Sequence, residues 1–410
     1  MRSKVLATVL IITLAAGFSS LLPVEAAPVG FPILLDLSHK QPTLGIETIL
    51  EMVPEAEWYI LVDSADTAKA LPAYVTTTAR VLVGSFDTVD LEKLGIVMVI
   101  FGQPQTTLKP EEITALTKWF NAAPGRAIWV SADSDYPAQG GERSQVVANT
   151  ILEALGSRLR MDYTAAYDHF SNAGGATYRV LAYVNLSEIP ELRYGCDRVL
   201  FHGPGPIAWV DDRGTWRKLT PNEKPPNTFI LAVTSPQSEI TENQAEPTGV
   251  TAKVYKPGDR GSFTLMAAEL VPVKNKTNVV ILSGETPYGG YQPIATWGYY
   301  REVISGPRFV RNVILWATGY MGELKEYAKL AALPEQLRTS VNRALDQARN
   351  ELNARLAEVS NQLSTLRSEL DKTSSTVNAV SSTANTAMIL AVIALLLAVV
   401  GLALSFRKKP

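Results

Sequence analysis

The chain has 410 residues, of which 46% are hydrophobic and 19% are charged, and its formal net charge is −2. This balance is typical of a globular protein with added apolar segments, and it excludes a mostly disordered chain and a strongly basic nucleic-acid-binding surface. The single cysteine, Cys196, excludes an internal disulfide, and the three histidines lack metal-ligand spacing, so neither a metal site nor a cofactor is predicted.

The N-terminal segment has the layout of a signal peptide. An apolar run over residues 5–18 follows Arg2 and Lys4, and small residues precede a potential cleavage point near Ala26. We therefore predict a cleaved signal peptide over residues 1–26, with an uncleaved anchor as the alternative.

Residues 28–320 are predicted to form an α/β ectodomain, because short apolar runs alternate with amphipathic segments along its first half. The predicted strands are Phe31–Leu35, Trp58–Val62, Ile96–Phe101 and Ala127–Val130, and the predicted helices are Ile46–Met52, Lys109–Phe120 and Ser144–Leu155. Strands that alternate with helices indicate a doubly wound, mostly parallel sheet of the flavodoxin or amidotransferase type.

The second half of the ectodomain has a different pattern. Residues 178–263 contain short apolar runs separated by many Pro and Gly turns, which predicts a β-rich insertion or extension. A strand at 277–282 and a helix at 308–318 then return to the α/β core.

The composition changes after the ectodomain and predicts a helical stalk over residues 333–386. Apolar residues recur there in alternating three- and four-residue steps, at Leu352, Leu356, Val359, Leu363, Leu366, Leu370, Val377 and Val380. A heptad seam of this kind favours a parallel coiled coil that joins copies of the chain into a homo-oligomer. The alternative is a single helix that folds back on the globular part.

The C-terminal segment predicts a transmembrane helix over residues 387–406, because these 20 residues contain no charged side chain. Arg407, Lys408 and Lys409 follow at once, so residues 407–410 are predicted to be a cytoplasmic tail. The sequence thus predicts a single-pass cell-membrane protein whose N-terminal domain is extracellular, of an archaeal or bacterial surface type.

The order of these segments resembles the class I glutamine amidotransferase-like ectodomains associated with uncharacterised transport systems, which are related to GIFT domains. The residues that carry the resemblance lie at Leu34–His39, Met98–Gly102, Leu108–Ile113, Trp119–Phe120, Gly261–Phe263, Ala267–Glu269, Ile281–Glu285 and Phe309–Gly319. The resemblance covers roughly residues 30–320. It implies the fold named above and, because the family's function is largely undescribed, a role as an auxiliary of a transport system.

The sequence departs from true glutamine amidotransferases at the catalytic position. The resemblance places the nucleophile elbow after the strand 127–130, where residues 131–135 contain no cysteine, and Cys196 lies in the β-rich region. A GxSxG elbow is also missing from the sequence. We therefore predict that the fold is kept without the amidotransferase chemistry, and that the protein is not an enzyme.

The predicted ends of two strands supply the candidate ligand site. Asp36, Ser38 and His39 follow the first strand, and Glu285 and Tyr288 follow the strand at 277–282. Ligands of open α/β sheets bind outside such strand ends, and His39 is a candidate base oriented by Asp36. The alternative is that Asp36 caps the turn and His39 packs on the sheet edge.

Two further sets of residues are weaker candidates. Asp133, Asp135 and Glu142 have the chemistry of a hard-cation site, with a solvated loop as the alternative. Asn185 and Asn275 begin N-glycosylation sequons, although such triplets also arise by chance.

Three functions remain open on these grounds. The first is a membrane-anchored, extracellular, non-catalytic binding module on a coiled-coil stalk, with a transporter or envelope protein as partner and no nucleic acid. The second is a structural cell-envelope protein associated with a surface layer. The third is a surface hydrolase with an atypical site near His39.

Overall fold

The structure, a computed structural model, describes residues 30–139, 142–243, 247, 251–379 and 385–405, but not the side chains of 139, 370–379, 385–391 and 403–405. The predicted signal peptide (1–26) and tail (407–410) therefore lie outside the described residues. The chain divides into two compact units, residues 1–331 and 332–410.

A ten-stranded sheet with the order β3-β2-β1-β4-β5-β16-β15-β12-β8-β9 forms the centre of the first unit. The strands from β3 to β16 in this order are parallel to one another, and the strands from β16 to β9 are antiparallel. Its strands are β1 (Phe31–Asp36), β2 (Ala56–Val62), β3 (Arg80–Val83), β4 (Met98–Phe101), β5 (Ala127–Ser131), β8 (Arg179–Tyr183), β9 (Arg198–His202), β12 (Thr228–Val233), β15 (Thr264–Val273) and β16 (Lys276–Ser283).

Short strands outside the large sheet form small sheets that carry loops. They are β6 (Leu159–Met161) with β10 (Ile207–Val210) and β11 (Trp216–Lys218), β7 (Ala165–Asp168) with β13 (Ser238–Thr241) and β14 (Arg260–Gly261), and the hairpin of β17 (Gly298–Tyr299) and β18 (Glu302–Val303).

The helices are α1 (Ile46–Met52), α2 (Ala65–Ala70), α3 (Ala73–Thr78), α4 (Pro110–Ala122), α5 (Glu142–Ala154), α6 (Gly306–Thr318), α7 (Gly322–Ala379) and α8 (Asn385–Ser405). Pro110 at the first turn of α4 needs no hydrogen-bond partner for its nitrogen, and Glu112 accepts a hydrogen bond from the backbone N–H of Lys109 (3.0 Å). Local sequence thus fixes where α4 begins.

The hydrophobic core lies on both faces of the large sheet. Along β1, Ile33 and Leu35 are buried in one apolar cluster, and Leu34, between them, is buried in the other. A strand covered on both faces reads as a continuous apolar run, which explains why β1, β4 and β5 are conspicuous in the sequence.

The prediction of a doubly wound, mostly parallel sheet is wrong for the second half of the ectodomain, where the sheet is antiparallel. The molecule is α/β, but β8, β9 and β12, from the predicted insertion, extend the same sheet as antiparallel strands. The long hairpin of β15 and β16 makes this possible, because β16 pairs parallel with β5 on one side and antiparallel with β15 on the other. Short apolar runs do not reveal which sheet edge they will join.

The predicted coiled-coil stalk is also contradicted. The segment belongs to α7, a 58-residue helix that begins at Gly322 rather than at residue 333. The seam residues Leu352, Leu356, Leu363 and Leu366 are 45–59% exposed. Among the described residues, no second helix packs against them. A heptad pattern specifies a coiled coil only when a partner helix covers the seam.

The predicted transmembrane helix at 387–406 is contradicted as well. Within the described part of the chain, every helix is too short or too polar for a bilayer crossing. This finding also overturns the predicted single-pass location with an extracellular N-terminal domain. Within the predicted span, the structure describes the side chains of residues 392–402.

Candidate functional site

The predicted site residues lie at the carboxyl ends of the strands, but the structure does not gather them into one pocket. Asp36 ends β1 and is 0% exposed, His39 follows the strand and is 4% exposed, and Ser38 is half-buried. Glu285 and Tyr288 follow β16 and are 1% and 0% exposed. A small molecule has no direct access to side chains this deeply buried.

His39 is held between two carboxylates. Its Nδ1 lies 2.8 Å from Asp36 Oδ2, and its Nε2 lies 3.4 Å from Glu112 Oε1 on α4. Burial lowers the pKa of His39, but the hydrogen bond to Asp36 and the charges of Asp36 and Glu112 outweigh burial, so the pKa is raised overall. His39 therefore acts as a cation that joins the end of β1 to α4, in a group that we call the His39 cluster (Asp36, His39 and Glu112).

Ser38 supplies a hydroxyl next to this histidine. Ser38 Oγ lies 3.1 Å from His39 Nδ1, which is the distance that a nucleophile and its base require. However, the hydroxyl lies 2.6 Å from Asp36 Oδ1, to which it donates, and Nδ1 already faces Asp36 Oδ2. Because Nδ1 faces Asp36 and Nε2 faces Glu112, neither ring nitrogen is left to take a proton from Ser38, so the geometry does not favour hydrolase chemistry here.

Glu285 and Tyr288 have partners of their own. Glu285 accepts hydrogen bonds from the backbone N–H groups of His202 and Thr286, both at 2.8 Å. The Tyr288 hydroxyl lies 2.8 Å from the backbone oxygen of Asp36, to which it donates, and burial raises its pKa. Among the described residues, no hydrogen bond or ion pair joins Glu285 to His39, so the predicted four-residue pocket does not form.

A second buried carboxyl accompanies Glu285. Asp133 follows β5, which neighbours β16, and it is 1% exposed. Its Oδ1 accepts a hydrogen bond from the N–H of Ser134 (2.7 Å), whereas its Oδ2 has no partner among the described residues. Burial raises the pKa of Glu285 to about 8, and burial together with the charge of Glu285 raises the pKa of Asp133 well above its ordinary value. Glu285 is therefore mainly protonated at neutral pH, and the environment of Asp133 favours its protonated form.

An open cleft of about 470 Å³ lies at the same end of the sheet, next to these two carboxyls. This volume suits a small ligand. The loops after β5, β9 and β16 and the strands β7 and β8 contribute its walls. The lining residues are Ser134, Tyr136, Ala138, Tyr167, Tyr178, Arg179, His202, Gly203, Asn243, Tyr291 and Tyr299. We call this the tyrosine cleft.

The aromatic rings of the cleft surround His202. Its ring centroid lies 5.4 Å from that of Tyr178, 5.0 Å from that of Tyr291 and 5.9 Å from that of Tyr299. Burial and the charge of Arg179 lower the pKa of His202, so the ring is neutral at physiological pH. The cleft thus combines apolar ring faces with a neutral imidazole.

Arg179 is the cation of the cleft. Its guanidinium carbon lies 3.8 Å from the ring centroid of Tyr300, 5.2 Å from that of Tyr178 and 5.9 Å from that of Tyr299. Its Nε is buried and has no hydrogen-bond partner among the described residues, which also give it no ion pair. Aromatic faces hold the guanidinium in place while leaving its N–H groups without acceptors.

Tyr300 reaches Arg179 through two backbone features. Tyr300 and Arg301 connect β17 to β18 with φ of 46° and 67°, a hairpin geometry that normally selects Asn and Gly. Gly174 lies against the ring, because a Cβ at this position would be 2.7 Å from Tyr300 Cδ1. A strained turn at a ligand-sized cleft is typical of a functional site.

The remaining predicted residues are not brought into a site. Asp135 is buried and accepts hydrogen bonds from the backbone and side chain of Asn243, and the described residues hold no group of three metal ligands. Asn185 and Asn275 are exposed, and Asn185 donates to Asp197 (2.7 Å). Burial raises the pKa of Cys196 to about 12, so this thiol stays protonated.

The sequence prediction missed the tyrosine cleft. Its strongest signal was the run Trp297–Arg301, in which three aromatic residues surround a glycine outside any apolar strand. A second signal was Tyr178-Arg179, directly after the Gly174-Gly175 turn. These segments meet only through the antiparallel half of the sheet.

Comparisons with known proteins identify no family. No family model matches the chain, and neither does any curated protein. Solved structures similar to it include one described as "mmIFT52 N-terminal domain", at 11% identity and a TM-score of 0.41. That match covers 70% of this chain and 97% of the other. At this identity and TM-score, the similarity does not establish a family, so the resemblance to amidotransferase-like domains stays a prediction.

Proposed function

We propose that this protein is a non-catalytic binding module that holds a small molecule in the tyrosine cleft. The observation that carries the proposal is Arg179, a cation stacked on tyrosine rings inside a ligand-sized cleft and given no ion pair by the described residues. Arg179 is half-buried, and its buried Nε–H has no acceptor among the described residues, so its guanidinium marks a place for a ligand.

The construction of the cleft supports binding more than chemistry. The tyrosine rings supply apolar faces, and the hydroxyl, amide and imidazole groups that line the cleft supply polar contacts, the combination typical of small-molecule sites. Asp133 and Glu285 lie beneath the surface at 1% exposure each, so neither carboxyl touches a bound molecule as an acid or base. The predicted transporter or envelope partner and the predicted homo-oligomer stay predictions.

The test is ligand-observed NMR with a set of single-ring fragments that includes neutral, cationic and anionic members. Ala138→Trp fills the cleft from an exposed lining position, and Ala70→Trp adds the same ring at an exposed position at the end of α2. We expect fragments to bind the wild-type protein and the Ala70→Trp variant, and to bind the Ala138→Trp variant at least tenfold more weakly. Equal binding to all three proteins, or binding to none, contradicts the proposal.

A further inference from the structure

The charges around the tyrosine cleft narrow the class of ligand. The only fully charged group among the described lining residues is Arg179, because no Asp or Glu lines the cleft and the pKa of His202 is lowered. Three buried acids lie behind the wall of the cleft: Asp133 and Glu285, whose pKa values are raised, and Asp135, which accepts two hydrogen bonds from Asn243. Arg179 is therefore the formal charge that a molecule inside the cleft meets directly.

The orientation of Arg179 restricts the ligand further. Stacking on Tyr300 at 3.8 Å occupies a face of the guanidinium plane, so new hydrogen bonds form at its edge. The edge of a guanidinium matches two oxygens of a carboxylate or phosphate, and such paired hydrogen bonds are stronger than those between neutral groups. A cationic ligand is disfavoured, because Arg179 already occupies the ring faces that would attract it.

The arrangement exists before a ligand arrives. The turn at Tyr300-Arg301 holds two non-glycine residues at positive φ, and the missing Cβ of Gly174 makes room for the Tyr300 ring. A guanidinium that is fixed in advance loses less rotational freedom when it binds, which favours affinity for its counter-ion. The rest of the lining consists largely of tyrosine rings, which favour a ligand with a flat apolar body.

We propose that the ligand is a small organic anion built on a ring, with its carboxylate or phosphate paired to Arg179 and its ring among Tyr178, Tyr291 and Tyr299. This inference rests on the proposed function, since it concerns the occupant of the same cleft. Carboxylate and phosphate share the required chemistry, and both are included in the test.

The test is isothermal titration calorimetry of the full chain with benzoate, phenyl phosphate, benzyl alcohol and benzylamine, and with inorganic phosphate as a ringless anion. We expect at least one ring anion to bind tenfold or more tightly than benzyl alcohol, and benzylamine and inorganic phosphate to bind more weakly than that anion. Arg179→Gln should abolish the preference for the anion. Arg179→Lys should retain part of it, because the charge remains and the planar fork is lost.

Arg80→Gln is the matched control, since Arg80 also lies over a tyrosine ring, that of Tyr59 at 5.6 Å, but is not part of the cleft. We expect this variant to bind all probes as the wild-type protein does. If benzyl alcohol binds as tightly as the anions, or if Arg179→Gln leaves the preference intact, the inference about ligand class is wrong while the proposed function stands. If no ring probe binds at all, both fail.

Discussion

Two groups of buried charge at the strand ends have opposite designs. In the His39 cluster, a histidine lies between Asp36 and Glu112, so every charge has an opposite partner within 3.4 Å. After β5 and β16, Asp133 and Glu285 are buried and form no ion pair with any described residue, while the cation Arg179 lines an open cleft. The charges of the His39 cluster are paired with one another. The two carboxyls of the second group are instead stabilised by protonation, and on our proposal Arg179 is paired by a ligand.

The difference shows why a histidine after a strand is an ambiguous signal. His39 has the sequence context of a catalytic base, but its two ring nitrogens are used to hold the structure together. His202, at the end of β9, lies in the cleft wall, and its pKa is lowered. Neighbours brought in by tertiary structure, rather than the local motif, decide which histidine meets solvent.

Removing the His39 side chain tests the His39 cluster and should have the largest effect on stability. His39→Gln leaves two buried carboxylates without their cation, so we expect the free energy of unfolding at pH 6 to fall by about 3–5 kcal/mol in urea denaturation. Because the folded-state pKa of His39 is raised, its contribution is complete below about pH 6.5 and is lost as the pH rises through the folded-state value. The effect should therefore shrink at pH 9.

The control for this variant is His169→Gln, since the His169 side chain is 54% exposed beside Glu239. It should change the free energy of unfolding by no more than about 0.5 kcal/mol. Benzoate affinity of folded His39→Gln protein should equal that of the wild type. A large loss of affinity with little loss of stability would restore His39 as a ligand-binding residue.

Asp133→Asn tests whether burial holds Asp133, the neighbour of Glu285, in its protonated form. The raised pKa values of Asp133 and Glu285 mean that the folded state keeps protons that the unfolded state has released, so their contribution to stability falls as the pH rises above about 4. The amide that replaces the carboxyl has no proton to lose, and it keeps the oxygen that accepts from Ser134. We expect the variant to gain stability over the wild type by up to about 1.4 kcal/mol per pH unit between pH 5 and 7.

Urea denaturation at several pH values measures this gain. Asp66→Asn is the control, because this side chain is 93% exposed on the surface. A gain that is the same at pH 5 and pH 7 would show that Asp133 is not held in its protonated form.

Gly174→Ala tests whether close packing of the Tyr300 ring builds the cleft. An alanine at φ +64° costs about 1–2 kcal/mol in the backbone alone, and its Cβ would lie 2.7 Å from the ring. Gly175→Ala provides the matched control, since it has φ +75° and nothing within 4 Å of its Cβ. We expect similar backbone losses, with an additional loss of about 1 kcal/mol and weaker benzoate binding in Gly174→Ala alone. Equal behaviour of the two variants in denaturation and calorimetry would contradict this packing role.

Ser38→Ala should have the smallest effect. It removes the hydrogen bond from Ser38 to Asp36, which is worth about 1 kcal/mol, without leaving a charge unpaired. We expect a loss of stability of this size in urea denaturation and unchanged affinity for benzoate. If wild-type protein hydrolyses a generic ester such as p-nitrophenyl acetate and Ser38→Ala does not, the hydrolase alternative gains support. The interpretation of the His39 cluster as purely structural is then wrong.

The sequence predicted the parallel half of the fold more fully than the candidate site. The apolar runs of β1, β4 and β5 and the Pro110 start of α4 are local signals, and the structure has strands and a helix there. The Asp36–His39 contact was also accessible, because both residues lie in one turn. The partner of His39 on α4 was not, since nothing local identifies Glu112 as more than an acidic residue in a first helical turn.

What the sequence by itself determined is the α/β alternation, the apolar strands and the turn chemistry at their ends, because periodicity and capping act over a few residues. Only the tertiary structure decided that β8, β9 and β12 extend the large sheet, that the ring of Tyr300 lies on Arg179, and that His39 is enclosed. These outcomes depend on which distant strands pair and which side chains pack together. The packing of the whole chain sets that choice, and no short window of sequence contains it.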